Sequence, residues 1–378
     1  MPDPISYLTA SVAAAFASAM IVLALRLVPR KSMHSFAAVI GVLAVGVGAL
    51  TGYSVLQFLW TWPPANALNR FLMIVLPATV VVELLAAVSG KARLPSRDQQ
   101  LGRRIAFPSR DADRERAGFR ILMNSATKRV GSLCAFGFRL ALYASVGRIL
   151  LHDSVYLGDV GSGNPDAWTF AQTLTRFGNS FVVLIAAWSL LCRLSERSVA
   201  GSIRLSLAMT ILCAGLATMM AGYIKGGAAA IPLAAALAGT SLAFPLLANC
   251  FGGLDNKNLQ GVIGIGVIGL FSLLCIGHYF GKLTGLRAIV LFLTPLLCWI
   301  SEFPGLRSRP AWQKSGVRLT AVTIVLTAVL FFSKQDFDRK IAPLLVGVKG
   351  PVTGLHLSSR TSTSSSPGFG LGVGQIAK

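Results

Sequence analysis

The chain has 378 residues, of which 54% are hydrophobic and only 13% are charged. Soluble domains carry about 25% charged residues, so this composition excludes a single soluble globule. The formal net charge of +21 would suggest nucleic-acid binding in a soluble protein. In a membrane protein, however, Lys and Arg collect in cytoplasmic loops. We therefore expect a polytopic membrane protein whose partner is the lipid bilayer and which has no nucleic-acid partner.

Ten apolar segments are candidates for membrane-spanning helices. We expect an all-α bundle, because a chain in lipid must satisfy its backbone hydrogen bonds within each segment. The first segment is followed by basic residues and not preceded by them, which favours a permanent span over a cleavable signal peptide. The predicted spans cover about 5–28, 36–60, 68–88, 130–151, 177–194, 199–221, 228–251, 260–281, 286–301 and 317–332.

The spans divide the chain into four parts. The last part contains a Ser- and Thr-rich run at 358–367, which cannot bury enough apolar surface to fold. We therefore expect the tail to be mostly disordered. The four parts are spans one to three (1–88), a basic cytoplasmic loop (89–129), spans four to ten (130–332) and the tail (333–378).

The positions of the basic residues predict the orientation. Alternate connections hold 22 Lys and Arg residues, whereas the connections between them hold five. Since basic residues favour the cytoplasmic side, the N-terminus is expected outside, and ten spans also place the C-terminus outside. The connection at Lys257 is the weakest step, because it carries one basic residue beside Asp255. A miscounted span there would place the tail inside.

The loop between the third and fourth spans holds eleven of the basic residues. Within it, apolar residues recur at helical spacing over 112–129 and are flanked by Arg116, Arg120 and Lys128. This pattern predicts a short amphipathic helix that lies on anionic headgroups. A solvated loop with a helical end is an equally good interpretation.

Two ionisable residues fall inside predicted spans. Glu83 lies about 7–12 Å and Arg139 about 13 Å from the predicted inner face, at 1.5 Å of rise per residue. The two spans are consecutive and consecutive elements are usually neighbours, so we expect an ion pair. A charged residue in a membrane often marks a gate or a proton- or anion-linked site. The alternative, which the sequence favours, is a structural lock between two helices.

A second polar group is predicted at the outer end of the fourth span. Arg148, His152 and Asp153 follow one another closely there and could form a polar patch. The alternative is that they anchor the helix at the membrane interface. No motif indicates a catalytic residue, and the scattered histidines give no metal site, so we expect neither a cofactor nor a metal.

Two segments resemble each other. Each has an Arg at the outer end, a proline in mid-span and a Glu near the inner end; these are Arg70, Pro77 and Glu83, and Arg287, Pro295 and Glu302. Because both run in the same direction, they predict a weak parallel internal repeat, with chance similarity as the alternative.

Three functions remain open. The span count, the possible repeat, the mid-span prolines and the Glu83–Arg139 pair favour a transporter or permease-like protein. The outer polar patch is the support for a membrane-embedded enzyme acting on a lipid-linked substrate. The basic loop would suit a scaffold or assembly factor.

Overall fold

The computed structural model describes residues 4–27, 30–58, 62–90, 131, 133–158, 167–197, 201–251, 260–307 and 309–340. Within this part of the chain all regular structure is helical and there is no strand. Ten helices are long and apolar enough to cross a membrane, which confirms the predicted all-α bundle. They are α1 (Pro4–Leu23), α2 (Arg30–Val55), α3 (Ala67–Ser89), α4 (Leu133–Leu151), α5 (Phe170–Arg197), α6 (Ser202–Met220), α7 (Ile224–Leu246), α8 (Gln260–Tyr279), α9 (Gly285–Glu302) and α10 (Ala311–Lys340).

Three helices differ clearly from their predicted spans, and one of them is α2, which runs over Arg30–Val55 where 36–60 was expected. Helix α5 begins at Phe170 and not near 177, and α10 runs from Ala311 to Lys340 where 317–332 was expected. Hydropathy marks only the stretch in contact with hydrocarbon, whereas a helix continues into the polar region as long as its backbone hydrogen bonds are made. Residues 333–340 therefore belong to α10 and not to the tail.

Two predicted features lie outside the described residues. The basic loop, with its amphipathic segment at 112–129, falls in the part of the chain from 91 to 130 that the structure does not describe. The tail from 341 onward falls outside as well. Headgroup binding by the loop and disorder of the tail therefore stay predictions.

Helix α8 lies at the centre of the bundle and is the most buried of the ten spanning helices. It packs against α2, α3, α5 and α6. Its first three turns carry glycines at 261, 264, 266 and 269, all of them buried. Small residues allow helix backbones to approach closely in a membrane, where no hydrophobic effect drives association. The glycine pattern explains why so many neighbours fit around one helix.

Helices α1, α2 and α7 form a second closely packed group. A methyl group at Gly52 of α2 would lie 3.0 Å from the Cβ of Ala14 in α1 and 2.6 Å from the Cβ of Pro232 in α7. The hydroxyl of Ser18 also donates a hydrogen bond of 2.9 Å to the carbonyl of Ala44. This group therefore forms a closely packed flank beside α8.

Helices α3 and α9 are interrupted, and both contact α8. In α3 a π-helical turn covers Phe71–Val75, and the next turn contains Pro77, which has no amide hydrogen to donate. Helix α9 is α-helical over Gly285–Leu293 and then 3-10 helical over Thr294–Glu302, with Pro295 in its first turn. Such irregular turns often mark functional sites or hinges.

Candidate functional site

The structure brings Glu83 and Arg139 together. Nε of Arg139 donates a hydrogen bond of 3.0 Å to Oε1 of Glu83, and Nη2 donates a second bond to Oε2. This two-bond fork is the strongest and most directional contact that arginine makes with a carboxylate. The side chain of Glu83 is 1% exposed and that of Arg139 is 14% exposed. The carboxylate is therefore enclosed, whereas the arginine is mostly but not fully buried.

Helix α8 provides the space for the carboxylate. A methyl group built on Gly264 would overlap Oε1 and Cδ of Glu83. A methyl group on Gly261 would lie 3.3 Å from Oε2 of the same carboxylate. Any side chain at position 264 must therefore move Glu83 away from Arg139. The sequence alone does not reveal this role, because glycines in a spanning helix are explained equally well by helix packing.

Helix α5 closes the other side of the pair. The guanidinium carbon of Arg139 lies 5.1 Å from the centre of the Trp188 ring, within the range of a cation–π contact. Tyr143, one turn along α4 from Arg139, places its ring edge-on to Trp188 with 5.9 Å between ring centres. The thiol of Cys192 is buried and lies within electrostatic reach of Glu83 and Arg139. We call these five residues the Glu83 cluster.

Two polar atoms of the Glu83 cluster lack a partner. The hydroxyl of Tyr143 and the indole N–H of Trp188 are buried, and neither forms a hydrogen bond within the described part of the chain. Burying such groups without a hydrogen bond is unfavourable, and most buried polar groups in proteins are satisfied. The Glu83 cluster thus has hydrogen-bonding capacity beyond the ion pair.

The predicted outer patch is only partly assembled. Nδ1 of His152 lies 2.8 Å from Oδ2 of Asp153, and Nη2 of Arg70 donates a bond of 2.7 Å to the same oxygen. Nη1 of Arg70 also donates to the carbonyl of His152. Arg148 is exposed and makes no hydrogen bond or ion pair with any described residue. The patch is therefore built by Arg70, which is buried against α4, together with His152 and Asp153.

The two hairpins that contain the similar segments carry the same arrangement of charges. In each, the first helix places an Arg near one end and a Glu near the other. The second helix supplies both partners in the second hairpin, whereas in the first hairpin Asp153 lies in the turn just after α4. An ion pair therefore joins the hairpin at each end. The pairs are Arg70–Asp153 and Glu83–Arg139 in the first hairpin, and Arg287–Asp336 and Glu302–Arg318 in the second.

The corresponding pair in the second hairpin has the more open carboxylate and the more buried arginine. Glu302 lies 3.2 Å from Arg318 and its side chain is 21% exposed, compared with 1% for Glu83, whereas Arg318 is 3% exposed, compared with 14% for Arg139. Arg318 also donates a bond of 2.5 Å to the hydroxyl of Ser301. Glu83 is therefore the more enclosed of the two carboxylates, and the Glu83 cluster is the stronger candidate for a functional site.

Comparisons with known proteins give no guide to the activity. No protein-family model matches the chain, and no curated protein or solved structure is significantly similar to it. Among the described residues no group of three His, Cys, Asp or Glu side chains could hold a metal ion. The function is therefore argued from the geometry of the Glu83 cluster and the helices around it.

Proposed function

We propose that the protein is a permease-like transporter in which the Glu83–Arg139 pair is the gate between α3 and α4. The observation that carries this proposal is a buried carboxylate, held by an arginine fork, on a helix that is interrupted near its opposite end. A charge inside a membrane is costly, and such residues commonly mark substrate or proton pathways.

The neighbouring helices support the proposal that the ion pair opens and closes. The π-helical turn in α3 and the 3-10 segment in α9 are places where each helix can change its bend with little loss of backbone hydrogen bonding. Both interrupted helices contact α8, so a change of bend in either helix would alter its packing against α8. Hinge and shear movements of this kind are the usual basis of domain closure.

The energy of the pair explains how it would control transport. Separating a buried ion pair leaves an uncompensated charge, which costs about 3–5 kcal/mol. The closed arrangement is therefore stable until another charge compensates Glu83 or Arg139. A solute or proton that supplies this compensation opens the gate, and its release closes the gate again.

The proposal includes an orientation of the protein in the membrane and contacts of its basic loop with lipid headgroups. The bias in basic residues favours an N-terminus outside, and an even number of spans would then put the C-terminus on the same side. The loop at 89–129 then faces the cytoplasm, where its 112–129 segment would meet anionic headgroups. These features fit an integral protein of the cell or inner membrane.

The test is solute uptake into reconstituted liposomes. Proteoliposomes are incubated with a defined mixture of neutral, cationic and anionic metabolites, and the retained solutes are measured by mass spectrometry. The wild-type protein should retain at least one solute above empty liposomes, and Glu83→Gln and Arg139→Gln should abolish this retention.

Two variants provide matched controls for this experiment. Arg148→Gln changes an exposed arginine on the same helix as Arg139, and Glu302→Gln changes the more open acidic residue of the second hairpin. Arg148→Gln should behave as wild type, and Glu302→Gln should keep most of the uptake. Retention equal to empty liposomes for the wild-type protein would overturn the proposed function.

One observation favours a second candidate, a membrane enzyme acting on a lipid-linked substrate. The contact of His152 Nδ1 with the carboxylate of Asp153 leaves Nε2 free to act as a general acid or base at the predicted outer face. Incubating the protein with membrane lipid extracts, followed by mass spectrometry, tests this candidate. Product that disappears in His152→Gln but persists in Arg148→Gln would favour the enzyme.

A further inference from the structure

We infer that the Glu83 cluster binds one proton and one small monovalent anion together, the proton on Glu83 and the anion on Arg139. This inference rests on the proposed transport function and specifies its substrate class. The ion pair shown by the structure is then the unloaded state of the site. On loading, the proton takes the place of Arg139 at Glu83, and the anion takes the place of Glu83 at Arg139.

The hydrogen-bonding groups of the Glu83 cluster that lack a partner are donors. They favour a ligand that accepts hydrogen bonds. An indole N–H can only donate, and a tyrosine hydroxyl can donate, so the partnerless atoms of Trp188 and Tyr143 both offer a hydrogen. Nη1 of Arg139 donates no hydrogen bond to any described residue. The only strong acceptor in the cluster is the Glu83 carboxylate, which Arg139 already occupies. A ligand that satisfies these donors must therefore be rich in acceptors, as an anion is.

The requirement for charge balance couples the anion to a proton. Protonation of Glu83 alone would leave the Arg139 guanidinium buried without a counter-charge, which is strongly unfavourable. An anion that arrived alone would face the ionised carboxylate of Glu83. When both ligands bind, the buried site has the same net charge as the unloaded pair.

Each step of this exchange is chemically balanced. The proton comes from the aqueous phase and forms an O–H bond with a carboxylate oxygen of Glu83. The Arg139 fork then turns from the carboxylate to the anion, and Tyr143 and Trp188 complete the set of donors. On the other side of the membrane the O–H bond breaks, the proton and the anion leave, and the ion pair forms again.

The surroundings limit the anion to one charge and a small size. A single guanidinium compensates a single negative charge, so a divalent anion would leave charge uncompensated in the membrane. The Trp188 and Tyr143 rings and the α8 backbone at Gly264 lie close to the ion pair, which favours a small anion. Chloride and nitrate are small and monovalent, whereas sulfate is divalent.

The experiment follows proton movement driven by an anion gradient. Proteoliposomes carry a pH-sensitive dye in the lumen, with equal potassium concentrations on both sides and valinomycin to hold the membrane potential at zero. An inward gradient of nitrate or chloride should acidify the lumen of wild-type proteoliposomes about tenfold faster than a matched sulfate gradient. Glu83→Gln should abolish the acidification.

Variants of the two donors test the binding site itself. Tyr143→Phe and Trp188→Phe each remove one hydrogen bond to the anion, so the half-saturating nitrate concentration should rise by about tenfold. The exposed Trp312→Phe and the α1 variant Tyr7→Phe are the matched controls and should leave this concentration unchanged.

The outcomes separate this inference from the proposed function. If wild-type proteoliposomes acidify no faster with nitrate or chloride than with sulfate, the inference is overturned, whatever the variants do. If the same protein still takes up another solute in a Glu83-dependent way, the transport proposal stands without it. If acidification occurs but Tyr143→Phe and Trp188→Phe match their controls, the donor assignment is overturned.

Discussion

The carboxylate of Glu83 on α3 occupies the space that a side chain at Gly264 of α8 would need. Gly264 therefore determines where the carboxylate can lie, and Arg139 holds it there through two hydrogen bonds. One helix provides the negative charge, a second provides the counter-charge and a third provides the space. The ion pair depends on all three helices being in register.

Replacing Gly264 with alanine should disrupt the pair. The added methyl group overlaps Oε1, and the carboxylate cannot move without breaking its bonds to Arg139. We expect Gly264→Ala to destabilise the protein by about 3 kcal/mol or more in detergent, in the range of a broken buried pair. Gly137→Ala is the control, since a methyl group there meets no atom within 4 Å and removes a helix-weakening glycine. Equal thermal stability of the two variants would contradict the role of Gly264.

The pair itself can be measured with a double-mutant cycle. Glu83→Gln or Arg139→Gln alone should cost about 3–5 kcal/mol, because each leaves one buried charge without its partner. The double variant should cost less than the sum of the two, by a coupling free energy above about 1 kcal/mol. Unfolding in detergent, followed by tryptophan fluorescence, provides the four free energies. Strictly additive losses would show that the two side chains act independently.

The end of α10 should tolerate one truncation but not another. Ending the chain after Val352 leaves α10 whole, so membrane accumulation should match that of the full-length protein. Ending it after Ser333 removes the last helical turns together with Asp336, which lies 2.5 Å from Arg287, and accumulation should fall. Asp336→Asn removes the ion pair without shortening the helix, so it separates the loss of the pair from the loss of the helical turns. Its effect should be below about 1 kcal/mol, because both side chains are partly exposed.

The basic loop can be tested for headgroup binding. A peptide covering 112–129 should bind anionic vesicles, and replacing Arg116, Arg120 and Lys128 with Gln should weaken binding by about 1 kcal/mol for each charge removed. Vesicle co-sedimentation with and without anionic lipid measures the change. Unchanged binding of the substituted peptide would support the solvated-loop interpretation instead.

The orientation is open to direct labelling. Single cysteines at positions 104 and 159, introduced into a variant without other cysteines, should react with a membrane-impermeant maleimide from opposite sides. Position 159 should react from outside in intact cells, and position 104 only after permeabilisation. Reaction of both from the same side would contradict the ten-span arrangement.

Sequence patterns were sufficient to predict the number of helices and their class. The length of an apolar segment follows the hydrocarbon thickness, so each of the ten predicted spans overlaps one of the ten helices. The ends of α5 and α10 could not be predicted in the same way. Their terminal turns are polar, and hydropathy does not distinguish a polar helical turn from a loop.

The candidate site could likewise be predicted only in part. Depth in the membrane and the order of the helices were enough to suggest that Glu83 and Arg139 meet. The contribution of Gly264 could not be foreseen, because it depends on which face of α8 turns toward α3. The burial of Arg70 was not predicted either. Its partners, Asp153 and the His152 carbonyl, are far from it in sequence.

The central claim is that the Glu83–Arg139 pair opens when the site is loaded and is not a permanent lock. Infrared difference spectroscopy on the reconstituted protein tests this claim directly, because a protonated carboxyl group and a carboxylate absorb at different frequencies. Adding nitrate at acidic pH should produce a protonated-carboxyl band that is absent with sulfate and absent in Glu83→Gln. If the spectrum shows no such band and the reconstituted protein also takes up no solute in a Glu83-dependent way, Glu83 stays ionised and paired, and the pair is a structural lock.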